Sequence, residues 1–140
     1  MGGTNFLPDS AKEHNNYLMP TIKLTTAFIK SQQERMEKTR DHIGEQIADM
    51  KRDDPFADPE RVSDNAAIDT EVREQESHQL IEAKIKDLQT KSKNIGIALQ
   101  KISKKKYGIC ERCNKAIVQA RLELLPEARY CVACEQQLRK

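Results

Sequence analysis

A chain of 140 residues that is 33% charged, 4% aromatic and free of Trp has too few large rings to fill a thick globular core. Such a composition suits long helices joined along a narrow apolar seam. The net charge of +2 singles out no partner class, and no apolar run approaches the ~20 residues that would span a bilayer.

The charge is strongly segregated along the chain. Residues 54–83 hold nine acidic and two basic side chains, a net of −7, whereas residues 84–109 hold eight basic and one acidic, a net of +7. A helical protein with this distribution is a dipolar rod.

Residues 1–19 read as a leader with one short helix. The opening MGGTNFLPDS has neither a basic n-region nor an apolar h-region, and Phe6 stands where a myristoylation pattern needs Ser or Thr. A cytoplasmic location is therefore expected. Ser10 followed by Glu13 is a capping box that places a helix over about 11–18.

A helical hairpin is expected over residues 20–106. Its first helix, about 20–52, carries Ile22, Ile29, Met36, Ile43 and Met50 at strict intervals of seven. The intervening seam places are mostly polar, as at Gln32 and Thr39, so the seam is thin. Two Asp-Pro steps, Asp54-Pro55 and Asp58-Pro59, disfavour helix and put the tip at about 53–64. Phe56 is expected to be exposed there.

The second helix is expected to start with Ser63 or Asp64 as N-cap and to end near Lys104–Lys106. Ile81, Ile85, Leu88, Ser92, Ile95, Leu99 and Ile102 alternate steps of four and three, the spacing of a coiled-coil seam. Ile68 and Val72 are out of phase with that set, and a stutter near 73–80 would reconcile them. Gly96 reads as a tolerated weak point or a close helix contact.

Residues 107–140 contain every cysteine of the chain. Cys110-x-x-Cys113 is followed by seventeen residues and then Cys131-x-x-Cys134. In a reducing compartment two such pairs read as metal ligands rather than disulfides. Four thiolates suit one structural Zn²⁺, which prefers a tetrahedral sulfur shell. That shell has no open position for a substrate, so catalysis at the metal is not expected. Iron in the same shell, a redox CxxC pair and two disulfides are the alternatives. Ile109, Ile117, Val118, Leu122, Leu124 and Leu125 are expected to form a small core beneath the metal, and Pro126 a turn before the second pair. Tyr107 and Tyr130 should pack against the finger. Arg112, Lys115, Arg121 and Arg129 are candidate phosphate contacts, with a solvated surface the reading for most of them. His14, His42 and His78 are scattered and read as surface residues. No nucleophile–base set and no glycine-rich phosphate loop is evident, so an enzyme is not expected.

The segment KKYGICERCNKAIVQARLELLPEARYCVACE resembles the TraR/DksA-type C4 zinc finger. The shared pattern is Tyr107-Gly108-x-Cys110-x-x-Cys113, Ile117, Arg121-Leu122, Pro126, Ala128 and Cys131-x-x-Cys134, and a weaker likeness runs through the hairpin, including Asp64-Asn65-Ala66-Ala67. The resemblance implies an all-α architecture: a long antiparallel hairpin of coiled-coil type carrying a small four-cysteine finger, with one structural Zn²⁺. It also implies RNA polymerase as partner. Members of that family insert the hairpin into the polymerase secondary channel and place an acidic tip near the active-site Mg²⁺. Their tip motif, Asp-x-x-Asp-x-Ala, maps its second Asp on Asp64 and its Ala on Ala66, while its first Asp falls on Arg61. A monomer without membrane contact is expected. Two rival readings stay open. One is a nucleic-acid binder using Lys101, Lys104, Lys105, Lys106 and the finger, whose affinity would fall steeply with salt. The other is a stress-related zinc protein with a different protein partner.

Overall fold

The computed structural model describes residues 24–58 and 68–140, and the element order is α1 Thr26–Asp53, α2 Ile68–Ser103, α3 Gln119–Leu124 and α4 Val132–Leu138. Among the described residues there is no strand, only an isolated antiparallel bridge between Ile109 and Ala116 in the finger.

The start of α1 differs from the expected position near residue 20. Thr25 is extended (φ −66°, ψ 151°), and its Oγ1 accepts a hydrogen bond from the Phe28 N–H at 3.1 Å. This cap satisfies one of the amides that have no partner inside the first turn. At the other end Asp54 precedes Pro55 and is extended, which stops the helix. A turn follows, closed by the Ala57 N–H donating to the Asp54 carbonyl at 2.9 Å.

The two long helices pack antiparallel, and two pairings fix the register. Met36 lies beside Ile95 in one small cavity, and Asp54 hydrogen-bonds His78. Moving up α1 from Met36 to Asp54 therefore moves down α2 by a similar number of residues. The apolar stripes meet along this seam. Met36, Ile43, Ile95 and Ala98 are buried, with Ile29, Ile47, Leu88, Leu99 and Ile102 packed on them. Each fully buried Met or Ile contributes about 1.5–3 kcal/mol, which compensates for the weak intrinsic stability of an isolated amphipathic helix.

The same register explains a correction. Ile68 is 79% and Val72 50% exposed, so no stutter brings them into the seam. Because α1 ends opposite His78, they lie beyond its last turn with no α1 side chain to meet. By helical rise α2 projects past this point by about 15 Å.

α2 ends in a Schellman turn. The Lys106 N–H donates to the Lys101 carbonyl at 2.8 Å and the Lys105 N–H to the Ile102 carbonyl at 3.1 Å. Lys105 holds the left-handed position (φ 59°) that glycine usually takes. The reversal sends the chain back along the hairpin base, where the finger begins.

The finger core is smaller than expected and partly different. Ile117 and Leu122 are buried, but Ile109, Val118, Leu124 and Leu125 are exposed. Their places are taken by Tyr107, Ala128 and the cysteines Cys110 and Cys134. With α3 only six residues long, one side chain, Leu122, reaches the interior, and Leu124 two residues on points away.

Polar groups in the α1 seam dock the finger. Gln32 is buried, and its Nε2 donates to the Leu122 carbonyl at 2.7 Å. Arg35 Nη1 donates to the Glu123 carbonyl at 2.6 Å. Both carbonyls belong to the last turn of α3, where no helical N–H follows to satisfy them. Gln32 in the seam and the exposed Arg35 beside it are therefore attachment points of the finger.

Candidate metal centre

Each half of the centre is built by a short turn. In the first, the Cys110 N–H donates to the Lys115 carbonyl at 2.8 Å and the Asn114 N–H to the Cys110 carbonyl at 3.0 Å. Asn114 sits at φ 57°, a conformation its short polar side chain tolerates. In the second, Cys131 is the N-cap of α4 and Cys134 lies one turn in, so both sulfurs project from one helical end. A turn at Pro126–Glu127, closed by the Ala128 N–H on the Leu125 carbonyl at 3.0 Å, leads into it. Tyr107 braces that turn, its hydroxyl donating to the Pro126 carbonyl at 2.8 Å. Burial pushes this hydroxyl up to about 12, with the Glu127 charge adding to the effect, so it stays a neutral donor.

The four sulfurs, from Cys110, Cys113, Cys131 and Cys134, all lie within 4.8 Å of one another. Cys113 Sγ and Cys131 Sγ are 3.8 Å apart. A tetrahedral shell with Zn–S bonds of about 2.3 Å has sulfur–sulfur edges of about 3.8 Å. A disulfide needs about 2.05 Å, and all four cysteines are free thiols. The geometry therefore fits one tetrahedral ion.

The four thiols are not electrostatically equivalent. Burial raises the Cys110 thiol, but the backbone N–H groups of Cys113, Cys131 and Arg112 outweigh it and bring it down to about 6. Cys134 is pushed up to about 12, first by its hydrogen bond with Cys131, then by burial and the neighbouring thiols. Four thiolates cannot share so small a volume without a cation, and a divalent ion relieves the repulsion. The four cysteines fit one structural zinc.

Residues 105–138 match the prokaryotic dksA/traR C4-type zinc finger. The chain is also similar to the structure of the transcription factor DksA2 from Pseudomonas aeruginosa, with a TM-score of 0.69 at 19% identity, over 91% of this chain and 95% of that one. At that identity the likeness is one of fold. A protein of Aquifex aeolicus (strain VF5) is 44% identical over 48 residues, which span 34% of this chain and 33% of that relative's length.

Around the finger, four of the eight cations that sequence alone offers to nucleic acid are engaged within the chain. Arg129 donates to Glu111 from both Nε (2.9 Å) and Nη2 (2.8 Å), and Lys101 reaches the same carboxylate at 3.1 Å. Burial alone would raise the Glu111 carboxyl, but the bonds from Arg129 and Lys101 hold it below the usual carboxylate range. Arg121 pairs with Glu135 of α4 and donates to the Tyr130 carbonyl at 3.2 Å. Arg112 approaches the Cys134 carbonyl at 3.5 Å. Lys104, Lys105, Lys106 and Lys115 stay exposed.

The tip residues Asp64 and Ala66, and Arg61 beside them, lie outside the described residues, as does His14. His42 is an exposed surface residue near Glu45. His78 is not. Its side chain is 24% exposed, its Nδ1 lies 2.9 and 2.8 Å from the two Asp54 carboxylate oxygens, and its Nε2 is 3.3 Å from Glu82. The Phe56 ring meets it edge-on at 4.7 Å between centroids. Asp54 also accepts from the Phe56 N–H at 2.9 Å, which, with the His78 bond, holds its carboxyl below the usual range against the effect of burial. This clamp ties the turn after α1 to α2. The sequence signals it only through the Asp-Pro step and an imidazole at the matching register.

Proposed function

We propose that the protein is a non-enzymatic, zinc-stabilised transcription regulator that binds RNA polymerase and enters its secondary channel with the hairpin tip. The observation that carries this reading is the combination of a dksA/traR C4 finger with a long, narrow hairpin of the DksA2 fold. The physical chemistry is consistent with it. α2 has 36 residues, about 54 Å, and two packed helices are narrow enough to enter a pore that excludes a globule. The segment 54–83, with a net charge of −7, would be drawn toward bound Mg²⁺. Asp64 would approach that metal and Ala66 would contact the polymerase beside it. The closed thiolate shell gives zinc a structural role, and the cytoplasm is the compartment such a regulator works in. The rival reading as a nucleic-acid binder loses support from Arg121 and Arg129 of the finger and Lys101 of α2, which are paired internally.

The test uses purified core RNA polymerase. The wild-type chain should be retained on it and alter transcription from a test promoter. Asp64→Lys should lose the effect on transcription while keeping most of the binding. A wild-type chain that does not bind, or an Asp64→Lys variant that acts like wild type, would sink the proposal.

A further inference from the structure

At its distal end the hairpin is asymmetric. α1 stops at Asp53, whereas α2 carries the ten residues 68–77 ahead of His78. Of these only Glu74 is half-buried; Ile68 and Val72 are exposed, as is Leu80 just after His78. Apolar burial therefore does little to tie the turn after α1 to α2.

The tie is polar, and it centres on His78. A carboxylate only accepts hydrogen bonds, so the His78 Nδ1, 2.9 and 2.8 Å from the two Asp54 oxygens, carries a proton and donates it. The side chains of His78 and Asp54 are 24% and 15% exposed, whereas that of Glu82, on the other ring nitrogen, is 65% exposed. Water screens the Glu82 contact, which leaves Asp54 as the partner that matters. The Phe56 ring stands edge-on against the imidazole, and the Phe56 N–H donates to the same Asp54 carboxylate. The Ala57 N–H closes the turn on the Asp54 carbonyl. His78 thus holds the residue around which the turn 54–57 is folded.

We infer that His78 is a positioning residue: its grip on Asp54 sets the direction in which the chain leaves α1, and so where the acidic tip segment is carried inside the partner. The inference rests on the reading above in taking RNA polymerase as that partner. The chain between the two long helices has two anchors. One is α2 itself, a continuous helix that projects about 15 Å past His78. The other is the Asp54 turn, fastened to α2 by His78. Neither Asp54 nor His78 belongs to the buried core of the seam or of the finger, so releasing the clamp would free the second anchor and leave the rest of the fold standing. Attraction between a tip carboxylate and a bound cation falls with distance, so a tip that loses its direction loses its effect.

Two measurements on the zinc-loaded protein test this, with His78→Ala and His78→Asn. Amide hydrogen exchange reads the clamp without any partner. In H78A the Phe56 and Ala57 amides should exchange about tenfold faster or more, as expected for a lost hydrogen bond to a charged group, while those of Ile95 and Ala98 stay as in wild type. Retention on core RNA polymerase and a transcription assay read the consequence. H78A should keep its polymerase affinity within about twofold and lose most of its effect on transcription. H78N places an amide donor where Nδ1 stands, so it should restore both slow exchange and the effect on transcription. If exchange at Phe56 and Ala57 is unchanged in H78A, the clamp does not hold the turn and the inference fails. If exchange rises but H78A regulates like wild type, or if H78A loses polymerase binding together with regulation, His78 does not position the tip. If H78N regains slow exchange but not regulation, the inference is overturned as well. A wild-type chain that does not bind polymerase ends the functional reading first, and the positioning role falls with it.

Discussion

At Gly108 the backbone stands at φ 82°, and a Cβ there would lie 2.7 Å from Leu24 Cδ1 and 3.4 Å from Leu122 Cδ1. The residue lets the chain turn from Tyr107 into the first cysteine pair while the start of α1 closes over it. Gly108→Ala should cost about 1–2 kcal/mol from the left-handed conformation alone, with the Leu24 contact adding to it. Urea unfolding of the zinc-loaded protein would show the loss as a lower midpoint, with zinc still at one per chain; an unchanged midpoint would refute this view of the site. The cysteines beside it were legible in the sequence because their chemistry is local: two residues between sulfurs suffice to aim both at one point. The role of Gln32 was not legible. Periodicity marks it as a polar gap in the seam, and the carbonyl that satisfies it belongs to a residue 90 positions away. His78 escaped for a similar reason, since its partner Asp54 is 24 residues distant and meets it only when the hairpin closes in this register.

Among the elements, the two long helices were readable from spacing. Heptads through Met36 and Ile43 and the four–three steps through Ile95 describe the buried stripe directly. The overhang of α2 was not readable, because a pattern in one helix does not say where its neighbour stops. Helix ends followed local chemistry that periodicity overlooks, such as the Thr25 cap and the Schellman turn through Lys105. The finger core was misjudged because α3, at six residues, is too short to present a whole apolar face. Gly96 offers a test at this scale. Since a Cβ there meets nothing, Gly96→Ala should stabilise the hairpin by about 1 kcal/mol and raise its melting temperature by roughly 3 °C. A destabilised variant would mean that Gly96 packs against something the present geometry does not show.

Across the whole molecule, the finger and hairpin are held as one unit by bonds of several kinds. Gln32 and Arg35 take the last carbonyls of α3, Glu111 links Lys101 of α2 to Arg129 before the second cysteine pair, and Tyr107 braces the Pro126 turn. These contacts reach the finger through its turns, and the turns have little apolar burial of their own. Binding free energy from the ion is therefore folding free energy for residues 107–140. Elemental analysis by mass spectrometry of untagged protein, purified without chelators, tests this most directly. One zinc per chain is expected, falling well below that in Cys113→Ser with loss of ordered structure in the finger. Wild-type protein without any bound transition metal, or a Cys113→Ser variant that keeps a full equivalent of zinc, would contradict the four-thiolate site.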